Sequence, residues 1–245
     1  MSELPNSLEN AVAQASIATQ AALADGKTRL KVELLFPELK SMPLAEMFLP
    51  LFSNYGKKLK VFFPDAGAAG LARRDWENVN FQIEDVGTGK SYSLNSKIHP
   101  DDEIFLFISP TSIEVNQLEK LCAIIDYRPI VMLNPQLEDS GIVGIGYAAR
   151  QIRNRFLSNI ESSYYLRPIF NKAAIMYSYP GLWEVWQEKS DEYEKIAELL
   201  KKPSDDEIYM ILIDKKESQA LNKTKTINYP NIFRSLQQLV RNLRN

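Results

Sequence analysis

The chain's 245 residues, 45% hydrophobic and 24% charged, suffice for a full core and fall in the range of one α/β domain. No run approaches the roughly eighteen consecutive apolar residues of a membrane-spanning helix, and the opening MSELPNSLEN has neither the basic nor the apolar region of a signal peptide. One cysteine, Cys122, excludes an intrachain disulfide, so a reducing, cytoplasmic setting is expected.

Asn6 and Glu9 have capping-box spacing, Leu8, Val12 and Ala15 follow a helical stripe, and Asp25-Gly26 supplies a stop, which predicts a helix over residues 7–24. Leu30, Val32 and Leu34 then alternate with charged residues as a strand does. Leu44, Met47, Phe48, Leu51 and Phe52 return to a helical period after Pro43. The short apolar runs 59–63, 104–108 and 130–133 read as buried strands. Helical stretches separate them, including 111–125 with Thr111 and Glu114 as its capping box. A further helix over 147–157 follows Gly144 and Gly146 and packs through Ala148, Ile152 and Phe156.

From Ser162 the pattern changes to SSYYLRPI, KAAIMYSYP, LWEVWQEK and EYEKIAELL, short β-rich runs suited to antiparallel hairpins. Ser204 with Glu207 starts a short helix, 215–229 reads as a polar loop, and Ile232, Phe233, Leu236, Leu239, Val240 and Leu243 mark a terminal amphipathic helix. The fold class expected is α/β: a three-layer mixed sheet, parallel and helix-covered in its N-terminal half and antiparallel in its C-terminal half. Residues 1–212 read as a single α/β domain, and 213–245 as a polar loop and basic amphipathic helix packed on it or extending from it.

Charge is unevenly spread. Residues 215–245 hold Lys215, Lys216, Lys223, Lys225, Arg234, Arg241 and Arg244 against Glu217 alone, a surplus of six, and with the whole chain at −2 the remainder stands at −8. Such a basic end suits either a solvated face or an anionic surface, so Arg234, Arg241 and Arg244 are the candidates for contact with anionic lipid. Basic residues are too few among the aromatic strands for RNA stacking, and no nucleic-acid partner is expected.

Gly87-Thr88-Gly89-Lys90-Ser91 imitates the end of a phosphate-binding loop and fails as one. The first glycine position falls on Glu84, and SYSLNSKIHP follows where a helix should supply amide donors. A hairpin turn accounts for the glycines. His99 is the only histidine, which excludes a zinc site built on several imidazoles; a surface loop is expected for it. Cys122 lies on the Val115, Leu118, Ile125 stripe and reads as a core thiol. The adjacent acids Asp101-Asp102 and Glu138-Asp139 read as solvated groups or helix caps. No metal, cofactor or catalytic residue is expected.

Asp65, Ser109 and Asn134 each follow a predicted parallel strand and stand beside a proline, so they are candidates to line one crevice at the strand ends. The competing reading makes Asp65 a helix cap. Arg73, Arg74, Arg150, Arg153 and Arg155 are candidate contacts for an acidic partner surface. Trp183 and Trp186 with Tyr164, Tyr165, Tyr177 and Tyr179 suit either interface anchors or a cross-strand aromatic core.

FFPDAGAAGLARRDW, PIVMLNPQLEDSGIVGIGYAARQIRNRF, ESSYYLRPI and LPNSLENAVAQA together resemble a domain-of-unknown-function family of cyanobacteria and plastids, over residues 4–212. Its members include the low photosystem II accumulation type of chloroplast assembly factor and the C-terminal domain of a chloroplast adenylate kinase. The resemblance implies an auxiliary protein without catalytic residues, in the cytoplasm and peripheral at the thylakoid surface. Its implied partner is a photosystem subunit, of photosystem II first, or membrane insertion machinery. The kinase motifs lie outside the shared domain and are absent here, and the transit peptide of plastid members is not seen. The rival reading is a protein that binds a small molecule or nucleotide in the crevice.

Overall fold

The computed structural model describes residues 3–87, 94–137, 147–170, 172–190 and 192–220. They divide into two compact units, one made of the described residues within Thr19–Glu33 and Lys40–Ser162, the other of those within Met1–Ala18, Leu34–Leu39 and Ser163–Asn245. The strands of the first unit pair in parallel and those of the second pair antiparallel, with helices flanking them, the mixed α/β class that the alternation of apolar runs predicts.

Helix α1, Leu8–Ala24, opens the chain. Its cap is Ser7, whose Oγ accepts from the Asn10 N–H at 3.1 Å, so the start falls one residue after the expected Asn6. At its end the Gly26 N–H donates to the Leu23 carbonyl and the Lys27 N–H to the Ala22 carbonyl, both at 3.0 Å. This closure needs a left-handed residue, which Gly26 supplies at φ 77°.

The first unit contains β1 (Arg29–Leu34), α2 (Ser41–Phe48) with a 3₁₀ segment Leu49–Lys58, β2 (Leu59–Phe63), α3 (Ala66–Asp75), β3 (Gln82–Asp85), β4 (Ile104–Ile108), α4 (Val115–Ile125), β5 (Ile130–Leu133) and α5 (Tyr147–Arg155). Its strands lie in the order β3-β2-β4-β5-β1, all parallel. Every residue of β2, β4 and β5 is buried, because helices cover both faces. On one face Phe62, Phe105, Phe107, Ile130 and Met132 pack with Leu118, Leu121, Cys122 and Ile125 of α4, and Phe62 stacks on Phe107 at 4.8 Å. Ile152 and Phe156 join this cluster as their spacing predicts, while Ala148 lies outside the described side chains.

One local reading changes. Thr111 and Glu114 do bond each other, the Thr111 N–H donating to Glu114 Oε2 at 2.9 Å, but they close a turn, and the helix begins only at Val115. Gly87 follows β3, which pairs in parallel with β2, and the turn read at the glycines falls on residues outside those described. Residues 88–91 of the GTGKS run lie outside the described residues, as do Glu138 and Asp139.

In the second unit β6 (Glu161–Ile169), β7 (Ala173–Ser178), β8 (Trp183–Lys189) and β9 (Glu192–Leu199) form an antiparallel meander. Tyr165 and Trp183 meet at 5.1 Å, Tyr177 stacks on Trp183 at 4.9 Å, and Ile208 and Leu212 of α6 (Asp205–Ala220) complete the cluster. The expected Ser204/Glu207 box forms reciprocally: the Ser204 N–H donates to Glu207 Oε2 at 2.7 Å and the Glu207 N–H to Ser204 Oγ at 3.2 Å. Helix α6 then runs on to Ala220, through the start of the segment read as a loop. Residues 221–245, with the expected terminal helix and Arg234, Arg241 and Arg244, lie outside the described residues.

Candidate functional site

Strand order selects one edge. From β2 the chain passes through α3 to β3 on one side, whereas from β4 it passes through α4 to β5 on the other. Right-handed crossovers therefore place α3 and α4 on opposite faces, and the segments leaving β2 and β4 part company at their carboxyl ends. Such a switch point is where open α/β sheets bind ligands. Pro64 and Asp65 leave one strand there, Ser109 and Pro110 the other.

The three crevice candidates share this edge. Ile108 pairs in register with Leu133, which sets Ser109 and Asn134 at neighbouring strand ends. Both take left-handed backbone, φ 45° and 47°, where the chain turns off the sheet. Their amides still extend the ladder, the Ser109 N–H donating to the Leu133 carbonyl and the Asn134 N–H to the Val32 carbonyl, each at 2.7 Å. Ser109 Oγ donates to Ser41 Oγ at 2.8 Å, which brings the first turn of α2 to the same edge. Nothing in the sequence marks Ser41 for this role, because the contact joins residues far apart in the chain.

Asp65 caps a helix. Its Oδ1 accepts from the amides of Gly67 at 2.8 Å and Ala68 at 2.9 Å, the helix-cap arrangement. The edge thus offers hydroxyls and an amide side chain suited to hydrogen-bonding a polar ligand. A histidine-assisted nucleophile is excluded at this place, since His99 precedes β4 and so belongs to the opposite, amino edge. His99 is exposed, as expected.

That amino edge holds a fully buried ion pair. Lys60, within β2, has no exposed side-chain surface, and its Nζ lies 2.9 Å from Oδ2 of Asp102, itself 2% exposed. Lys60 also donates to the Lys97 carbonyl at 2.7 Å, and Asp102 accepts from the His99 N–H at 2.7 Å. Arg128 donates to the carbonyls of His99 and Asp102, at 2.8 and 2.9 Å. The solvated reading therefore fits Asp101 and fails for Asp102. A lysine inside LKVFF is the only local signal, and it does not name its partner.

Three of the arginine candidates bond within the chain. Arg73 donates through Nε and Nη2 to the Ile83 carbonyl, at 3.2 and 2.5 Å, and so ties α3 to β3. Arg74 pairs with Asp75 at 2.6 Å. Arg155 grips both oxygens of Glu119, at 2.6 and 2.8 Å, and this bond holds the Glu119 carboxyl below its ordinary range. Arg150 and Arg153 stand exposed on α5. Cys122 is a core thiol, and burial pushes its pKa up to about 12.

Aromatic groups of the second unit divide between core and surface. Tyr164, Tyr165, Trp183 and Trp186 are buried, which favours the core reading over interface anchors. Lys202 rests over the Tyr165 ring at 4.1 Å. Exposed large apolar side chains of this unit include Phe170, 92% exposed, Leu200, 88%, and Tyr209, 62%, which sequence periodicity does not single out.

Among the described residues no group of three or more His, Cys, Asp or Glu side chains is placed to hold a metal ion, and no helix is long and apolar enough to cross a membrane. The family described as Domain of unknown function (DUF1995) matches residues 5–210, and the chain belongs to that family.

Proposed function

We propose that the protein is a non-enzymatic auxiliary factor of photosystem biogenesis, acting from the cytoplasm at the thylakoid surface. Photosystem II is the first candidate, and the partner is a membrane-protein subunit or its insertion machinery. The reading rests on resemblance to the low photosystem II accumulation type of chloroplast assembly factor. The observation that supports a binding role is α5, which anchors Ile152 in the core and keeps Arg150 and Arg153 exposed. Cations so displayed give encounter rate and orientation toward an acidic partner face. Affinity purification of the tagged protein from gently solubilised host membranes, read by mass spectrometry against an untagged control, is expected to enrich photosystem subunits or insertion machinery. A preparation free of membrane partners overturns the reading.

The switch point supports a second reading, a binder of a small polar molecule or nucleotide at Ser109 and Asn134. It predicts stabilisation by a ligand at millimolar concentration in a thermal-shift screen. No stabilised hit removes it.

A further inference from the structure

We propose that a cavity at the amino edge of the parallel sheet binds a basic side chain, arginine or lysine, presented by a polypeptide partner. The cavity encloses about 530 Å³, and its apolar walls are Leu49, Phe52, Leu59, Trp76, Val79 and Phe81. Leu59 opens β2 and Phe81 stands just before β3, so the site lies at the opposite end of the strands from Ser109 and Asn134. Every wall residue belongs to the first unit. Trp76 is fixed in place: its ring meets Phe63 at 5.5 Å and Phe81 edge-on at 6.1 Å, and its indole N–H donates to Glu46 Oε1 at 2.7 Å.

The lining selects for positive charge. Glu46, Asp75 and Glu77 contribute three carboxylates, and no lysine or arginine stands among the described residues that line the cavity. Arg74 answers Asp75 at 2.6 Å, whereas among the described residues no cation pairs with Glu46 or Glu77. Asp75 also ends α3, and the open carbonyls of that helix terminus add partial negative charge there. A cation drawn into the cavity meets an aromatic wall as well as the acids, while its alkyl stem covers apolar surface. An anion is repelled, and a neutral apolar group leaves the carboxylates desolvated without a counter-charge. Ser53 and Asn80, exposed at the rim, add neutral polar groups suited to a partner's backbone, which favours a side chain carried on a peptide over a free amine. The charge sought here is opposite to that sought by Arg150 and Arg153, and the assignment is independent of any role in photosystem biogenesis.

Two-dimensional NMR of the full chain tests the assignment through the Trp76 indole N–H signal. The probes are acetyl-Leu-Arg-Leu-amide, the same peptide with citrulline, which has arginine's shape without its charge, and acetyl-arginine amide alone. The arginine peptide at millimolar concentration is expected to shift the signal saturably, and the citrulline peptide is not. Affinity should fall about ten-fold when Glu46→Gln and Glu77→Gln are combined, the loss of two partly exposed ion pairs. Glutamine at position 46 keeps an acceptor for the indole, so the local fold is retained. No saturable shift, equal binding of the citrulline peptide, or affinity untouched by the double variant overturns the assignment. Acetyl-arginine amide binding as tightly as the peptide also overturns it and makes the cavity a site for a small free cation.

Discussion

Lys60 and Asp102 illustrate how much a single buried pair governs. Each satisfies the other at 2.9 Å with backbone groups completing the set, so removing one leaves an uncompensated charge in the core. Asp102→Ala is expected to lower stability by about 3–5 kcal/mol in urea unfolding. The double replacement Lys60→Met with Asp102→Leu should be far milder, and equal losses would show that packing rather than charge is at stake. Cys122 and Tyr164 make an alkaline prediction. Burial raises both pKa values, the thiol from 9.0 to about 12. The folded state therefore favours the neutral forms, while the unfolded chain ionises at ordinary values. Stability is full below about pH 9 and declines as pH rises toward 12. Cys122→Ala should flatten the first part of that decline, measured by denaturant midpoints at stepped pH.

At the scale of elements, helix starts carry separable roles. Asp65 caps α3 through two amides, so Asp65→Ala should cost about 1 kcal/mol whereas Asp65→Asn, which keeps an accepting oxygen, should cost little. The pair also separates the two uses of this residue: a ligand lost with Asp65→Asn at unchanged stability would put the carboxylate's charge in the crevice after all. At α6, the Ser204 amide and hydroxyl hold the Glu207 carboxyl below its ordinary range. That contribution is present above about pH 4.5 and fades as pH falls through the lower folded value, so acid should fray this cap. Amide exchange in Ile208–Leu212 across that range measures it. Edge strand β9 answers the aggregation hazard of an open strand with charge, pairing Lys195 with Glu184 at 3.1 Å and Glu194 with Lys189 at 2.5 Å.

For the whole molecule, the division of charge is the lever. Arg150→Glu with Arg153→Glu should weaken partner capture and its salt sensitivity while leaving the melting temperature nearly unchanged, since both side chains are exposed. Pull-down at stepped ionic strength, paired with a thermal melt, checks this; undiminished capture removes α5 from the contact surface. Anionic vesicles offered to the same variant act as a control, because the basic surplus of residues 215–245 is untouched.

The chain's own pattern of side chains determined the class of fold. Apolar runs such as LKVFF and IFLFI, short and rich in aromatic and branched residues, read as strands covered on both faces, and the Leu118, Cys122, Ile125 stripe reads as a core face. These are local signals, set within one turn or one pleat. Strand β3 escaped notice because QIED, at the sheet's edge, has one buried residue and no alternation to betray it. Asp65, Ser109 and Asn134 were legible as strand ends, but their alignment along one sheet edge, beside a switch point between β2 and β4, depends on strand order, which is a property of crossovers rather than of any segment. Ser41 against Ser109, Lys60 against Asp102 and the cavity beside Trp76 were decided by tertiary structure alone. Hydrogen bonds, ion pairs and grooves join residues distant along the chain, and no periodicity of the sequence records such a pairing.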